Sequence, residues 1–144
     1  MENDKPIGMK IAIIGRLFKK EVREECVKEG ISITYSNVIM HLANHPDGLA
    51  QNVIAEKMHM AAPTISLTIR NMENDGLVSR RPDESDSRIS IVSLTERGRE
   101  LDKVVQSCFN RTEQSILDLL GDKDSKEINR LLDILVDKFT KEVS

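Results

Sequence analysis

Apolar residues recur at three- and four-residue spacing from Met9 to Lys28, at Ile14, Leu17, Phe18, Val22 and Cys26, with Lys, Arg and Glu between them. That period is helical and Gly30 follows as a stop, so the pattern predicts a long amphipathic helix. A second helix is predicted after Ser32, its N-cap, with Tyr35, Val38, Ile39 and Leu42 on one face until the Asn44-His45-Pro46-Asp47-Gly48 turn. Leu49 to Met58 reads as a short helix with Val53, Ile54 and Met58 inward. His59-Met60-Ala61 is then a brief turn, and Pro63 sits in the first turn of a helix from Ala62 to Asp75. Two helices joined by so short a turn make a helix-turn-helix. In the second, Ile65, Ile69 and Met72 share the core face, which leaves Pro63, Thr64, Ser66, Leu67, Arg70 and Asn71 outward as a reading face.

The period then shortens. Gly76 ends the reading helix, and Leu77 to Arg80 and Ile89 to Leu94 read as two strands flanking the polar loop Pro82 to Ser87. Beside a helix-turn-helix such a hairpin is a wing. Thr95 can cap a long helix whose stripe is Leu101, Val104, Val105, Cys108, Thr112, Ile116 and Leu119, closed by Gly121. A last helix, from about Ser125 to Val143, carries Ile128, Leu131, Leu132, Leu135 and Phe139. The fold class is therefore mainly α with a minor β component: a winged helix-turn-helix with a two-stranded wing and N- and C-terminal dimerisation helices. Dimerisation is expected because the first and last helices carry more apolar surface than a compact winged-helix core covers, and a second copy is the economical cover.

Composition narrows the function classes. At 144 residues, 39% hydrophobic and 31% charged, the chain is sized and built as one globular domain, 1–144, with 31–99 as the DNA-binding part and 1–30 and 100–144 as dimerisation helices. The run Ile11 to Gly15 is far short of the ~20 apolar residues of a membrane span, and the N-terminus has no signal-peptide pattern, so a cytoplasmic protein with no membrane partner is expected. Net charge is −3. It is unevenly placed: eight basic and eight acidic residues in 1–60, six and six in 61–99, seven and ten in 100–144. A DNA-binding surface must then come from local clustering of arginine, here Arg80, Arg81 and Arg88 around the hairpin tip. No nucleophile elbow, phosphate-binding glycine loop, His-Glu-x-x-His run or paired-carboxylate constellation is present, which argues against an enzyme.

Three motifs occur in order: Gly76-Leu77-Val78-Ser79-Arg80, Asp86-Ser87-Arg88 and Leu94-Thr95-Glu96-Arg97-Gly98. In these the chain resembles the MarR family of transcriptional regulators, over nearly its whole length in element order. The resemblance implies a dimeric winged-helix repressor or activator of double-stranded DNA, with one recognition helix per subunit in successive major grooves of a near-palindromic site. Wing tips lie in the minor groove, and a small-molecule effector often releases the DNA. Physical chemistry supports those roles. A guanidinium such as that of Arg88 suits a narrow, electronegative minor groove, and Asp86 two residues earlier can orient it. Thr64 and Ser66 suit phosphate or base-edge contacts, and Arg70 suits O6 and N7 of guanine. The DNA-binding set is thus Pro63, Thr64, Ser66, Leu67, Arg70, Arg80, Asp86, Ser87 and Arg88.

The chain departs from the family pattern at Leu67, where many members carry a basic residue, at Arg70, where many carry an acidic one, and at Ala61 or Ala62, where Ser would cap the reading helix. The operator does not transfer. The uncapped start leaves N–H groups that a DNA phosphate could complete. Ile14, Phe18, Tyr35, Met40 and Val105 are the candidates to border an effector pocket, whose occupant would change the spacing of the reading heads. Cys26 and Cys108 fall on apolar stripes, where a thiol is usually a small buried hydrophobe, although one reactive cysteine would make a redox-responsive regulator. His41 and His45 have chelating spacing, with Glu24, Glu25 or Cys26 as further ligands of a zinc-responsive regulator, but the pair alone is an incomplete set. No metal or cofactor is assigned. A winged-helix module that binds protein instead of DNA is the remaining alternative.

Overall fold

In a computed structural model, which describes residues 4–143, the chain folds as five helices and a small sheet. It divides into two compact units, residues 1–109 and 110–144. Residues 1–3 and 144 of the predicted 1–144 span lie outside the described residues. Helices α1 (Ile7–Lys28), α2 (Ile33–Ala43), α3 (Gln51–Lys57) and α4 (Ala62–Asn74) are followed by the wing strands and by α5 (Glu96–Val143), which is interrupted at Gly121 (φ 80°).

The predicted caps form. Ser32 Oγ accepts from Tyr35 N at 3.1 Å. Thr95 Oγ1 accepts from Gly98 N at 3.0 Å and donates to Gly76 O at 2.6 Å, so one hydroxyl starts α5 and ties it to the end of α4. Gly76 (φ 75°) reverses the chain after α4, letting Leu77 N reach Met72 O at 2.9 Å and Gly76 N reach Glu73 O at 3.0 Å. The α3 end closes in the same way with His59 at φ 53°.

The sheet corrects the sequence reading. Leu49 and Ala50, expected in a helix, form a short strand β1 (Leu49–Ala50) that pairs with β3 (Ser90–Leu94), which in turn pairs with β2 (Val78–Pro82); the order is β1-β3-β2, all antiparallel. Gly48 makes this possible. Its φ is 89°, and a Cβ there would stand 2.5 Å from Ser93 Oγ and 2.6 Å from Val92 O, so only glycine lets the turn lie this close to β3. Arg81 and Pro82, expected outside the strand, lie in β2 opposite Ile91 and Ser90; Pro82 ends an edge strand, where its missing N–H is harmless. Asp75 caps α4 instead of ending it.

The core of residues 1–109 gathers Ile39 and Leu42 of α2, Ile54 of α3, Ile65, Ile69 and Met72 of α4, Val92 of β3 and Val105 of α5, all fully buried. On α1 only the C-terminal part of the predicted stripe is buried, at Val22 and Cys26, while Ile14 is 56% exposed and Leu17 is also outward. Ala55 is buried on α3 where Val53 and Met58, expected inward, are half-buried. In residues 110–144, Thr112 is buried and Ile116 half-buried, but Leu119, placed on the same stripe, is 86% exposed and has no cover among the described residues. After Gly121 helix resumes at once, earlier than the expected Ser125, and Ile128, Leu131, Leu132 and Phe139 are exposed. No helix among the described residues is long and apolar enough to cross a membrane.

Candidate nucleic-acid interface

Burial of Ile65, Ile69 and Met72 turns the opposite face of α4 outward: Pro63, Thr64, Leu67 and Arg70 are exposed and Ser66 is half-buried. Ala61 provides no side-chain cap and no acidic residue stands in the first turn, so the N–H groups at the helix start remain open to an anion. The far end of α4 is tied down. Tyr35 Oη on α2 donates to Asp75 Oδ2 at 2.9 Å, and burial together with that bond pushes the phenol pKa up. Arg80 of β2 donates to Glu73 through Nη2 at 2.9 Å and Nε at 3.4 Å, which holds the Glu73 carboxyl below its usual range.

The wing tip is built on Asp83, a residue the sequence reading passed over. Its Oδ2 accepts from Ser85 Oγ at 2.6 Å, Ser85 N at 3.2 Å and Asp86 N at 3.1 Å, and these bonds, the Ser85 hydroxyl's foremost, lower its pKa. The pattern Asp-x-Ser is the signal that such a turn leaves in a sequence. Asp83 N also donates to Ile89 O at 2.9 Å, closing the loop across its base.

On this frame Asp86 and Arg88 form the expected clamp. Arg88 Nε donates to Asp86 Oδ1 and Nη2 to Oδ2, both at 3.0 Å, and Arg88 N donates to Oδ1 at 3.1 Å. The two side-chain bonds lower the Asp86 pKa and raise that of Arg88. The Arg88 side chain is nonetheless 88% exposed, and of its five N–H groups the clamp engages two. Three face solvent. Ser87 beside it is exposed.

Arg80, by contrast, is engaged by Glu73 and offers less to a ligand, while Arg81 donates to Asp47 O at 2.9 Å and fastens β2 to the turn before β1. Between α3, the start of α4 and the wing root lies a cleft of about 230 Å³, bordered by Gln51, Asn52 and Ala55, by Ala62 and Ile65, and by Arg88 to Ser90. Gln51 Oε1 is buried without a hydrogen-bond partner among the described residues. In the sequence Gln51 and Asn52 are marked only as helix positions.

The candidate effector residues all lie in residues 1–109 but in unlike settings. Val105 is fully buried, Tyr35 and Met40 are half-buried against the core, Phe18 packs edge-on against Phe109 with ring centroids 5.1 Å apart, and Ile14 is exposed. Cys26 and Cys108 are fully buried and neither is in a disulfide. His41 is half-buried, and burial, followed by the charges of Lys57, Lys19 and His45, lowers its pKa.

Comparison with known proteins agrees with this geometry. The family model described as the MarR family matches residues 29–89. An uncharacterized HTH-type transcriptional regulator of Bacillus subtilis, YdgJ, is 28% identical over 97 residues, 67% of this chain and 57% of that protein, so the match spans little more than half of the relative. Among solved structures, the transcriptional regulator Tm0710 of Thermotoga maritima superposes with a TM-score of 0.77 at 20% identity, covering 96% of both chains. MepR of Staphylococcus aureus, solved as a DNA complex, superposes with a TM-score of 0.65 at 24% identity, covering 94% of this chain and 99% of MepR. The two solved structures share the fold of this chain.

Proposed function

From the match of residues 29–89 to the MarR family model we propose that this chain is a MarR-type, sequence-specific DNA-binding transcriptional repressor. In this reading a homodimer sets one α4 per subunit into successive major grooves of a near-palindromic operator. Arg88 enters the minor groove, Asp86 orients it, and Pro63, Thr64, Ser66 and Ser87 contact backbone or base edges. Arg80 acts at shorter reach, being shared with Glu73. The observation that carries the proposal is the exposed Arg88 guanidinium, preset by a bidentate carboxylate with three N–H groups still open. Preorganisation lowers the cost of ordering a long side chain on DNA.

Two further parts belong to the proposal. Each unit exposes apolar side chains, Ile7, Ile11, Ile14 and Leu17 on α1 and Leu119, Val136 and Phe139 in residues 110–144, and a second copy would cover such surface. A small apolar effector bordered by Phe18, Tyr35, Met40, Val105 and Ile14 would act through the Tyr35–Asp75 bond, which joins α2 to the end of the reading helix.

The test is fluorescence anisotropy on DNA enriched by in vitro selection, comparing wild type with Arg88→Ala across a salt series. We expect an inverted repeat, weaker binding by the variant and a log–log salt slope reduced by about one. If selection enriches no sequence and Arg88→Ala changes nothing, the regulator reading fails and protein partners become the object of search.

A further inference from the structure

Leu67 stands in the middle of α4 and is 56% exposed, whereas Ile65 and Ile69 on either side of it are buried. It contributes nothing to the core. Arg70, one turn further along the same face, is exposed as well. The carboxylate placed to hold Arg70 down is Glu73, three residues on, but Arg80 of the wing takes that carboxylate with two hydrogen bonds. Arg70 consequently has no hydrogen bond or ion pair among the described residues. The wing therefore leaves the reading face with an aliphatic tip beside an open guanidinium fork, and withdraws the acidic group that could have accepted from cytosine N4.

Resting on the DNA-binding reading above, we propose that Leu67 and Arg70 together select a thymine and a neighbouring guanine in each half-site. Leu67 packs on the thymine 5-methyl, the apolar feature of the major groove, and Arg70 donates to guanine O6 and N7. The spacing fits: three residues advance about 4.5 Å along a helix, against about 3.4 Å per base pair, so the two bases are adjacent or one apart. Leu67, with no charge and an exposed aliphatic tip, is suited to methyl recognition and not to a phosphate contact.

The experiment uses the full-length protein and the selected DNA site. Each thymine is replaced in turn by uracil, which lacks only the methyl, and each guanine by 7-deazaguanine, which lacks N7. Wild type should lose about fourfold in affinity at one thymine per half-site, the worth of one buried methyl, and Leu67→Ala should bind thymine and uracil there equally. Arg70→Ala should be insensitive to 7-deazaguanine at a guanine next to or one removed from that thymine, where wild type is sensitive. Because Leu67 is exposed, the alanine variant keeps the core intact, and Leu67→Met, which retains an apolar tip, should keep part of the thymine preference. If wild type binds its selected site but no uracil exchange weakens it, or Leu67→Ala discriminates as wild type does, this inference is overturned while the regulator reading stands. If wild type selects no site, both fall.

Discussion

At the level of single residues, the two features with the clearest consequences are a glycine and a carboxylate. Gly98 is buried in the first turn of α5, and a Cβ there would overlap the Leu77 carbonyl and press on Leu94 Cδ2 at 3.1 Å. Gly98→Ala should therefore force β2 and α5 apart and cost about 3 kcal/mol, the upper part of the overpacking range, measured by urea unfolding. The Leu-Thr-x-x-Gly motif was legible as a signature, but only the packed helix start explains its last residue. Asp86 offers a test without mutating the core. Its pKa is lowered chiefly by Arg88, so the unfolded chain takes up protons first as the solution is acidified. The clamp is complete above the ordinary aspartate value of 3.8 and is lost as pH falls through the lower folded value. A carboxyl-carbon NMR titration should place the Asp86 midpoint below 3.8, and Arg88→Ala should return it towards that figure. DNA binding should consequently show no transition from this pair near neutral pH.

At the level of elements, periodicity located all of the helices, because burial on one face leaves a repeat of three and four. Ser32, Thr95 and Gly76 marked ends that the hydrogen bonds bear out. What periodicity could not reveal was β1, since two residues are too few to show an alternation. Leu49 and Ala50 are extended because β3 offers them an unpaired edge and Gly48 fits against it, a condition set by residues more than forty positions away. The same limit hid the Arg81 bond to Asp47 O and the Arg80 pair with Glu73. At the start of α4, Ala61 lacks a capping oxygen. Ala61→Ser should supply one to the first-turn N–H groups and raise stability by about 1 kcal/mol in thermal unfolding. If a DNA phosphate completes the remaining N–H, affinity should change less than stability does; a large change of affinity with unchanged stability would overturn that contact.

At the level of the whole molecule, assembly is the property to measure. Ile14 is exposed in the protomer, so Ile14→Asp should leave its unfolding midpoint little changed when dilute. If α1 lies in a dimer contact, the same change should weaken association at least tenfold in analytical ultracentrifugation, since a charge would be buried without a partner. A monomeric wild type would remove the dimer from the proposal. The amino-acid sequence by itself determined the helical repeats, the order of helix-turn-helix and wing, and the Asp86–Arg88 pair, all of which depend on neighbours within a few positions. The tertiary structure alone decided which arginines are available. Arg80 and Arg81 are engaged by Glu73 and Asp47 while Arg70 and the outer edge of Arg88 are left open, because the partner of a charged side chain depends on which carboxylate or carbonyl the fold brings within hydrogen-bond reach, and that distance is not written in local spacing.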